Sequence, residues 1–312
     1  MSANVRFLWW LVAAVAVALV LGVILGETPL TVAQYLQALS HPSSGPGEII
    51  WTIRAPRAFA AAVVGGALGL AGAVMQGLLR NPLADPGVLG VSALAGLGAA
   101  LAIALGLAIV PGAVELAALI GALAAGAAVA ALAARFREPE VLILFGVALS
   151  AFGGALTSLV FNLSPSPVAN AEILSWLLGS VANRDWSDIA WAAGPMALGV
   201  ALSAYAARGL TLLSIGRAET AALLAGAAVA MAGIIGFVGL AAPHLVRARA
   251  GHDPGRTLLP SALMGAVLLV LADLIGRILP TETELKLGVV TALFGAPLFA
   301  LAAWRASRAW RS

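Results

Sequence analysis

Residues 58–79 read AFAAAVVGGALGLAGAVMQGLL, a run without a charge and with one amide side chain, Gln76. A helix needs about 20 apolar residues to cross the hydrocarbon core of a bilayer, and this stretch supplies them. Small residues recur at every fourth position: Gly65, Gly69, Ala73 and Gly77. Lipid is as apolar as leucine, so helices within it associate through close backbone approach, which small residues at that spacing permit. The stretch therefore predicts one member of a packed bundle of membrane helices, although an alanine-rich filler would look similar.

The remainder of the chain repeats the pattern. Of 312 residues, 62% are hydrophobic and 10% charged, against roughly a quarter charged in a soluble domain. A soluble globular protein is excluded, and the length leaves room for about ten spans. There is no cysteine, hence no disulfide and no thiolate chemistry. The formal charge of +3 comes from 17 basic and 14 acidic residues. It reflects few titratable groups and not a nucleic-acid-binding surface.

Further apolar segments lie at Phe7–Leu25, Val88–Val110, Leu116–Ala134, Val141–Leu163, Ile189–Ala207, Ala221–Val246, Leu258–Leu279 and Leu287–Trp304. With residues 58–79 they make nine. The first lacks a cleavage signature and reads as a retained span. Ile173–Val181 is too short to cross and reads as an interfacial or re-entrant helix. The whole of residues 1–312 forms one all-α, polytopic membrane domain.

Cytoplasmic loops are enriched in Lys and Arg. With a cytoplasmic N-terminus and alternating sides, Arg6, Arg80, Arg135, Arg137, Arg208 and Arg217 fall inside, while Arg54, Arg57 and Arg184 fall outside. A single span over Ala221–Val246 would then put Arg247, Arg249, Arg256, Arg305, Arg308 and Arg311 outside. Two spans there would return all six inside and leave only Arg54, Arg57, Arg184, Arg277 and Lys286 outside, but so short a stretch does not hold two helical spans. Parity thus predicts ten spans with both termini cytoplasmic, and a chain break or an odd short helix between Glu219 and Leu224.

No catalytic pattern is present. The three histidines, His41, His244 and His252, are scattered, and Lys286, the one lysine, has no glycine loop before it, so no phosphate-binding loop exists. The chain is expected to be no enzyme and to carry no cofactor or metal. Asp273 is the clear charge within a span; four residues before Arg277, it reads as one half of an intrahelical pair. With so few embedded ionisable groups the chain has little means of coupling to protons or sodium, and its energy is expected from a partner. Ser150, Thr157, Ser158 and Asn162 give one helix a sparse polar face, suited either to lining a pathway or to helix packing.

Arg54-Ala55-Pro56-Arg57, Gly72-Ala73-Val74-Met75-Gln76 and the run from Asn81 to Gly90 resemble the permease subunits of ABC importers for iron-siderophores, haem and cobalamin. So do the runs Gly236–Leu240, Pro243–Arg247, Gly288–Ala292 and Gly295–Pro297, and the likeness covers essentially the whole chain. The resemblance implies ten spans, a second permease copy as a homodimer, two cytoplasmic ATPase subunits that hold ATP and magnesium, and a periplasmic binding protein. The setting it implies is the bacterial inner membrane.

It also implies residue roles. Arg54, Arg57 and Arg277 correspond to docking points for acidic residues of the binding protein; ordinary interfacial snorkelling is the other reading. Pro139 and Glu140 correspond to a cytoplasmic gate, or to an ordinary helix connection. Ser214, Ile215, Gly216, Arg217, Ala218 and Glu219 resemble the start of the element that couples to the ATPase. Here the chain departs from the family: Arg217 stands where an acid is common, and a further segment before Leu223 is absent, so the coupling region, about residues 208–222, reads as incomplete. The expected cargo is haem or a ferric siderophore, with cobalamin the alternative within the family and an ion-coupled secondary transporter the alternative outside it.

Overall fold

The computed structural model describes residues 3–79, 81–136, 138–164, 166–207, 214–250, 254–279 and 284–309, and every regular element among them is helical. In chain order these are α1 (Ala3–Ile24), α2 (Val32–Ser40), α3 (Gly45–Glu48), α4 (Ala55–Leu78), α5 (Val91–Ala104), α6 (Ala113–Arg135), α7 (Pro139–Leu163), α8 (Pro167–Leu177), α9 (Trp186–Ala207), α10 (Ser214–Ala232), α11 (Val238–Ala250), α12 (Pro254–Ile278) and α13 (Leu287–Ala309). A π-helical turn, Ile49–Arg54, joins α3 to α4. Five stretches are long and apolar enough to cross a bilayer: Asn4–Ile24, Gly45–Leu78, Ala113–Arg135, Pro139–Leu163 and Arg256–Ile278. Three more apolar helical stretches, Val91–Ala104, Ala218–Ala232 and Leu287–Pro297, are shorter.

The residues with which the sequence reading began form the hub. Helix α4 is buried over most of its length and packs against α12, α10, α11, α9 and α1. It runs antiparallel to α12 in a register read directly from the glycines. A Cβ on Gly65 would strike the Gly265 carbonyl, and one on Gly69 the Ser261 carbonyl. The small-residue ladder thus brings backbone against backbone, as helix association in lipid requires. The pairs α5–α6 and α6–α10 repeat the device, with Gly98 on Ala117, Gly121 on Leu94, and Gly126 and Gly226 on Ala222 and Ala122.

The segment Ala221–Val246 departs from expectation. No break or odd short helix occurs between Glu219 and Leu224; α10 runs through them unbroken, and Ala221, Ala222 and Leu224 are fully buried. Alanine and leucine are strong helix formers, and nothing in this run stops a helix. The chain instead leaves the helix at Gly233, whose φ of 72° ends α10, and re-enters at Val238 after Phe237 at φ 68°. Ala221–Val246 therefore contributes to two helices, both packed against α4. Ser180 N–H donates to Ala232 O (2.7 Å) near one end of the bundle, whereas a Cβ on Gly72 would strike the Gly239 carbonyl.

At one end of the bundle sit the end of α1 and the starts of α4, α6, α9 and α13. Thr31 and Gln34 form a reciprocal cap on α2, and Trp51 Nε1 donates to Ala38 O (3.0 Å), holding this short helix over the π turn. Trp186 Nε1 donates to Trp51 O (3.0 Å) and its ring lies 5.4 Å from that of Phe59, which ties α9 to the same place. At the opposite end, the Arg249 guanidinium near the end of α11 lies 5.8 Å from the ring of Phe7, early in α1.

Candidate functional site

The charged side chains sort by end. Arg54, Arg57, Arg184, Arg277 and Lys286 lie at the first end, while Arg6, Arg135, Arg247, Arg249 and Arg256 lie towards the other. Arg80, Arg137, Arg208 and Arg311 lie outside the described residues, as do residues 208–213 of the coupling region.

The three arginines expected as docking points are buried. The π turn rotates Arg54 towards α1, where it donates to Ile24 O (2.7 Å) and to Thr28 O. Arg57, one turn later, meets the Asp273 carboxylate of α12 through Nε (3.0 Å to Oδ1, 3.2 Å to Oδ2) and Nη2 (2.8 Å to Oδ1). Glu284, just before α13, holds the other edge of the Arg57 guanidinium. Arg277 takes the remaining side of Asp273 (3.1 Å) and donates to Gly22 O (3.1 Å). Asp273 is thus bidentate to Arg57 across two helices as well as paired with Arg277 within its own. The side chains of Arg57, Asp273 and Arg277 are all less than a tenth exposed, while that of Glu284 is 29% exposed. In the isolated chain these guanidiniums point inward to partners of their own. The geometry can lock α1, α4, α12 and the approach to α13 together.

The polar residues of α7 satisfy themselves locally. Thr157, Ser158 and Asn162 donate to the carbonyls of Gly153, Gly154 and Ser158 (each 2.9 Å), one turn back along the helix. Ser150 instead reaches the α4–α5 linker at Gly87 O and Val88 O (3.3 and 3.2 Å). Thr157 is buried, whereas Ser158, Asn162 and a row of large apolar side chains, Leu144, Val147, Phe152 and Leu159 among them, are exposed. Pro139 and exposed Glu140 begin α7, where a carboxylate suits the positive end of the helix dipole.

Ser214, Ile215, Gly216, Arg217, Ala218 and Glu219 form the first turns of α10. Thr220 Oγ1 donates back to Gly216 O (2.5 Å), Ala218 is buried against the inner cluster of Val74, Met75 and Leu142, and Glu219 is exposed. Among the described residues no three His, Asp or Glu side chains converge on a point that could hold a metal.

Three features escaped the sequence reading. Glu284 closes the arginine network. Lys286 Nζ donates to Ser175 Oγ (2.9 Å), joining α8 to the approach to α13. Backbone bonds complete that joint, with Leu287 N–H on Gly179 O (3.0 Å) and Gly288 N–H on Leu178 O (3.1 Å). Ile173 in α8 and Val181 just beyond it are buried while Val168 and Leu174 of the same helix are exposed, so the stretch read as interfacial or re-entrant has one inward side. Glycines 179 and 288, both packed against Ile234 O, were the available signal.

Comparison with known proteins agrees with this architecture. Residues 14–305 match the model of the FecCD transport family. The chain is 36% identical over 329 aligned positions to the ABC transporter permease protein YvrB of Bacillus subtilis, covering 95% of this chain and 93% of that protein. It is 36% identical over 319 positions to the vitamin B12 import system permease protein BtuC of Salmonella typhimurium, covering 95% and 94%. Both alignments are longer than the 312 residues of this chain, so both open gaps in it. A solved metal-chelate type ABC transporter in an inward-facing conformation superposes with a TM-score of 0.83 at 28% identity, over 96% of this chain and 99% of that one. With sequence and fold matched nearly end to end, the chain belongs to the FecCD family of ABC transporter permeases.

Proposed function

We propose that this chain is the membrane permease of an ABC importer whose cargo is a metal chelate. The observation that carries the reading is the near end-to-end match in both sequence and fold to permeases of that kind. The expected haem or ferric siderophore and the alternative cobalamin share one chemistry, a bulky chelated metal. The vitamin B12 named for the relatives at 36% identity moves cobalamin from alternative to first candidate.

On this reading the Arg54 end faces outward and the end with Arg6, Arg135, Arg247, Arg249 and Arg256 faces the cytoplasm of a bacterial inner membrane, following the positive-inside rule. Ten traverses follow when α10 and α11 count separately, with both termini inside. The first turns of α10, Ser214–Glu219, then meet an ATPase subunit, and Pro139 and Glu140 stand at the cytoplasmic mouth. The exposed apolar row on α7 receives a second copy of the chain. A binding protein docks on the outward end, with the arginine network beneath its footprint.

The test is reconstitution in vesicles with the ATPase and binding protein that copurify with this chain. Cobalamin, haem and a ferric siderophore are offered separately on the binding protein. ATP hydrolysis stimulated by one loaded binding protein is expected. Uptake that survives an inactive ATPase and follows a proton gradient would overturn the proposal in favour of a secondary transporter.

A further inference from the structure

Backbone amides inside a membrane are almost always consumed by helical hydrogen bonds, because an unpaired amide facing lipid is prohibitively costly. The segment between α10 and α11 violates this. The N–H groups of Ile234, Ile235, Gly236 and Phe237, and the carbonyls of Ile234 and Ile235, make no hydrogen bond with any described residue. Both flanks lie at membrane depth. Ile234 Cδ1 reaches Gly96 in α5, and Gly239 abuts Gly72 far down α4. Ile235 is buried, but Gly236 is partly exposed, and a Cβ built on it would meet nothing within 4 Å.

Non-helical backbone at this depth is tolerated where protein buries it with partners or where it borders a water-filled space. The Ile234 carbonyl is packed against Gly179 and Gly288, but the amides lack partners among the described residues and open space borders Gly236. We infer that Ile234–Phe237 is a hydrated wall of the solute pathway, its unpaired amides facing water that a polar solute displaces. The segment stands beside the C-terminal end of α8 at Gly179 and the start of α13 at Gly288, and Phe237 packs on Gly295 of α13. At this point the pathway wall is therefore main chain. Backbone donors spaced along a strand can serve any oxygen-rich solute without selecting one, in keeping with a family whose members carry different chelates. The inference rests on the permease reading but is measured independently of it.

The chain has no cysteine, so single-cysteine variants report one site each. Gly236→Cys, Ile235→Cys and Val17→Cys, the last exposed on α1, are treated in native membranes with a charged, membrane-impermeant methanethiosulfonate and with a lipid-soluble maleimide. Gly236→Cys should react with the charged reagent at least tenfold faster than either of the others. Equal inertness of Gly236→Cys and Val17→Cys to the charged reagent, with both open to the maleimide, overturns the inference. If Gly236→Cys fails to fold, hydrogen exchange of the unmodified chain decides. Amides 234–237 should exchange at least a hundredfold faster than those of α10, and equal protection overturns the inference. Neither readout requires ATPase or cargo, so a failed transport assay leaves both interpretable.

Discussion

Replacing Asp273 with leucine isolates what the arginine network does. The carboxylate accepts three bonds from Arg57 and one from Arg277, all between 2.8 and 3.2 Å. Its loss leaves Arg57 with Glu284 alone and Arg277 with Gly22 O, while Arg277 Nε already lacks a partner. Breaking a buried pair from one side costs about 3–5 kcal/mol, because the stranded charge stays desolvated. For a chain of this size about 2 °C accompanies each kcal/mol, so the melting temperature should fall by roughly 6–10 °C. The intrinsic fluorescence of the eight tryptophans follows unfolding in detergent at a fixed scan rate, which matters because such unfolding is often irreversible. Glu284→Gln, touching the more exposed carboxylate, should cost no more than about 1 kcal/mol. The triple change Arg57→Met, Asp273→Leu, Arg277→Met should recover most of the loss, since apolar replacement of a buried ion cluster is often neutral. A shift of less than about 2 °C for Asp273→Leu would refute the reasoning. The guanidiniums would then be hydrated groups free to dock, with the carboxylate incidental to them.

Further outcomes are measurable in the same preparation. Gly65→Ala and Gly72→Ala force α4 away from α12 and α11 and should each cost about 1–3 kcal/mol, whereas Gly66→Ala, whose added carbon would come no closer than 3.5 Å to Ala262 O, should be near neutral; equal losses at all three would discard the backbone-contact account. Glu115→Gln removes the 3.2 Å pair with Arg184, and being partly exposed it should change stability by less than about 1 kcal/mol, a difference that disappears at high salt. Exposed Asp185 caps the start of α9 by accepting from Ser187 Oγ and from the N–H groups of Asp188 and Ser187, and these bonds, led by that from the Ser187 hydroxyl, hold its carboxyl below the usual carboxylate range. A lowered carboxylate pKa means that the cap is fully present above the ordinary value and is lost as pH falls through the lowered one. Hydrogen exchange at the start of α9 should therefore stay flat from pH 8 to about 5 after correction for the intrinsic rate, and Asp185→Asn should keep the cap without the acid-side loss. Fraying that begins near pH 6 would show that another group controls it.

How much of this was legible in the sequence depends on whether a feature is local. The α4 glycine ladder could be read because a helix repeats on its own, and its partners Gly265 and Ser261 sit in a helix with the same habit. The end-to-end sorting of the arginines was legible too, since it follows from span order and charge alone. Burial of Arg57 was not, because Asp273 stands 216 positions away and nothing near Arg57 announces a carboxylate. The helix break within Ala221–Val246 was missed for a sharper reason. Dividing residues by the rise of a helix assumes helix throughout, yet Gly233-Ile234-Ile235-Gly236-Phe237 places two β-branched residues between two glycines, the weakest helix-forming run within that segment. Outside a membrane such a run would be an ordinary loop. Here it ends α10, delays α11 until Val238 and leaves the amides of Ile234–Phe237 without a partner among the described residues, so a count that assumes one continuous helix could not divide the segment.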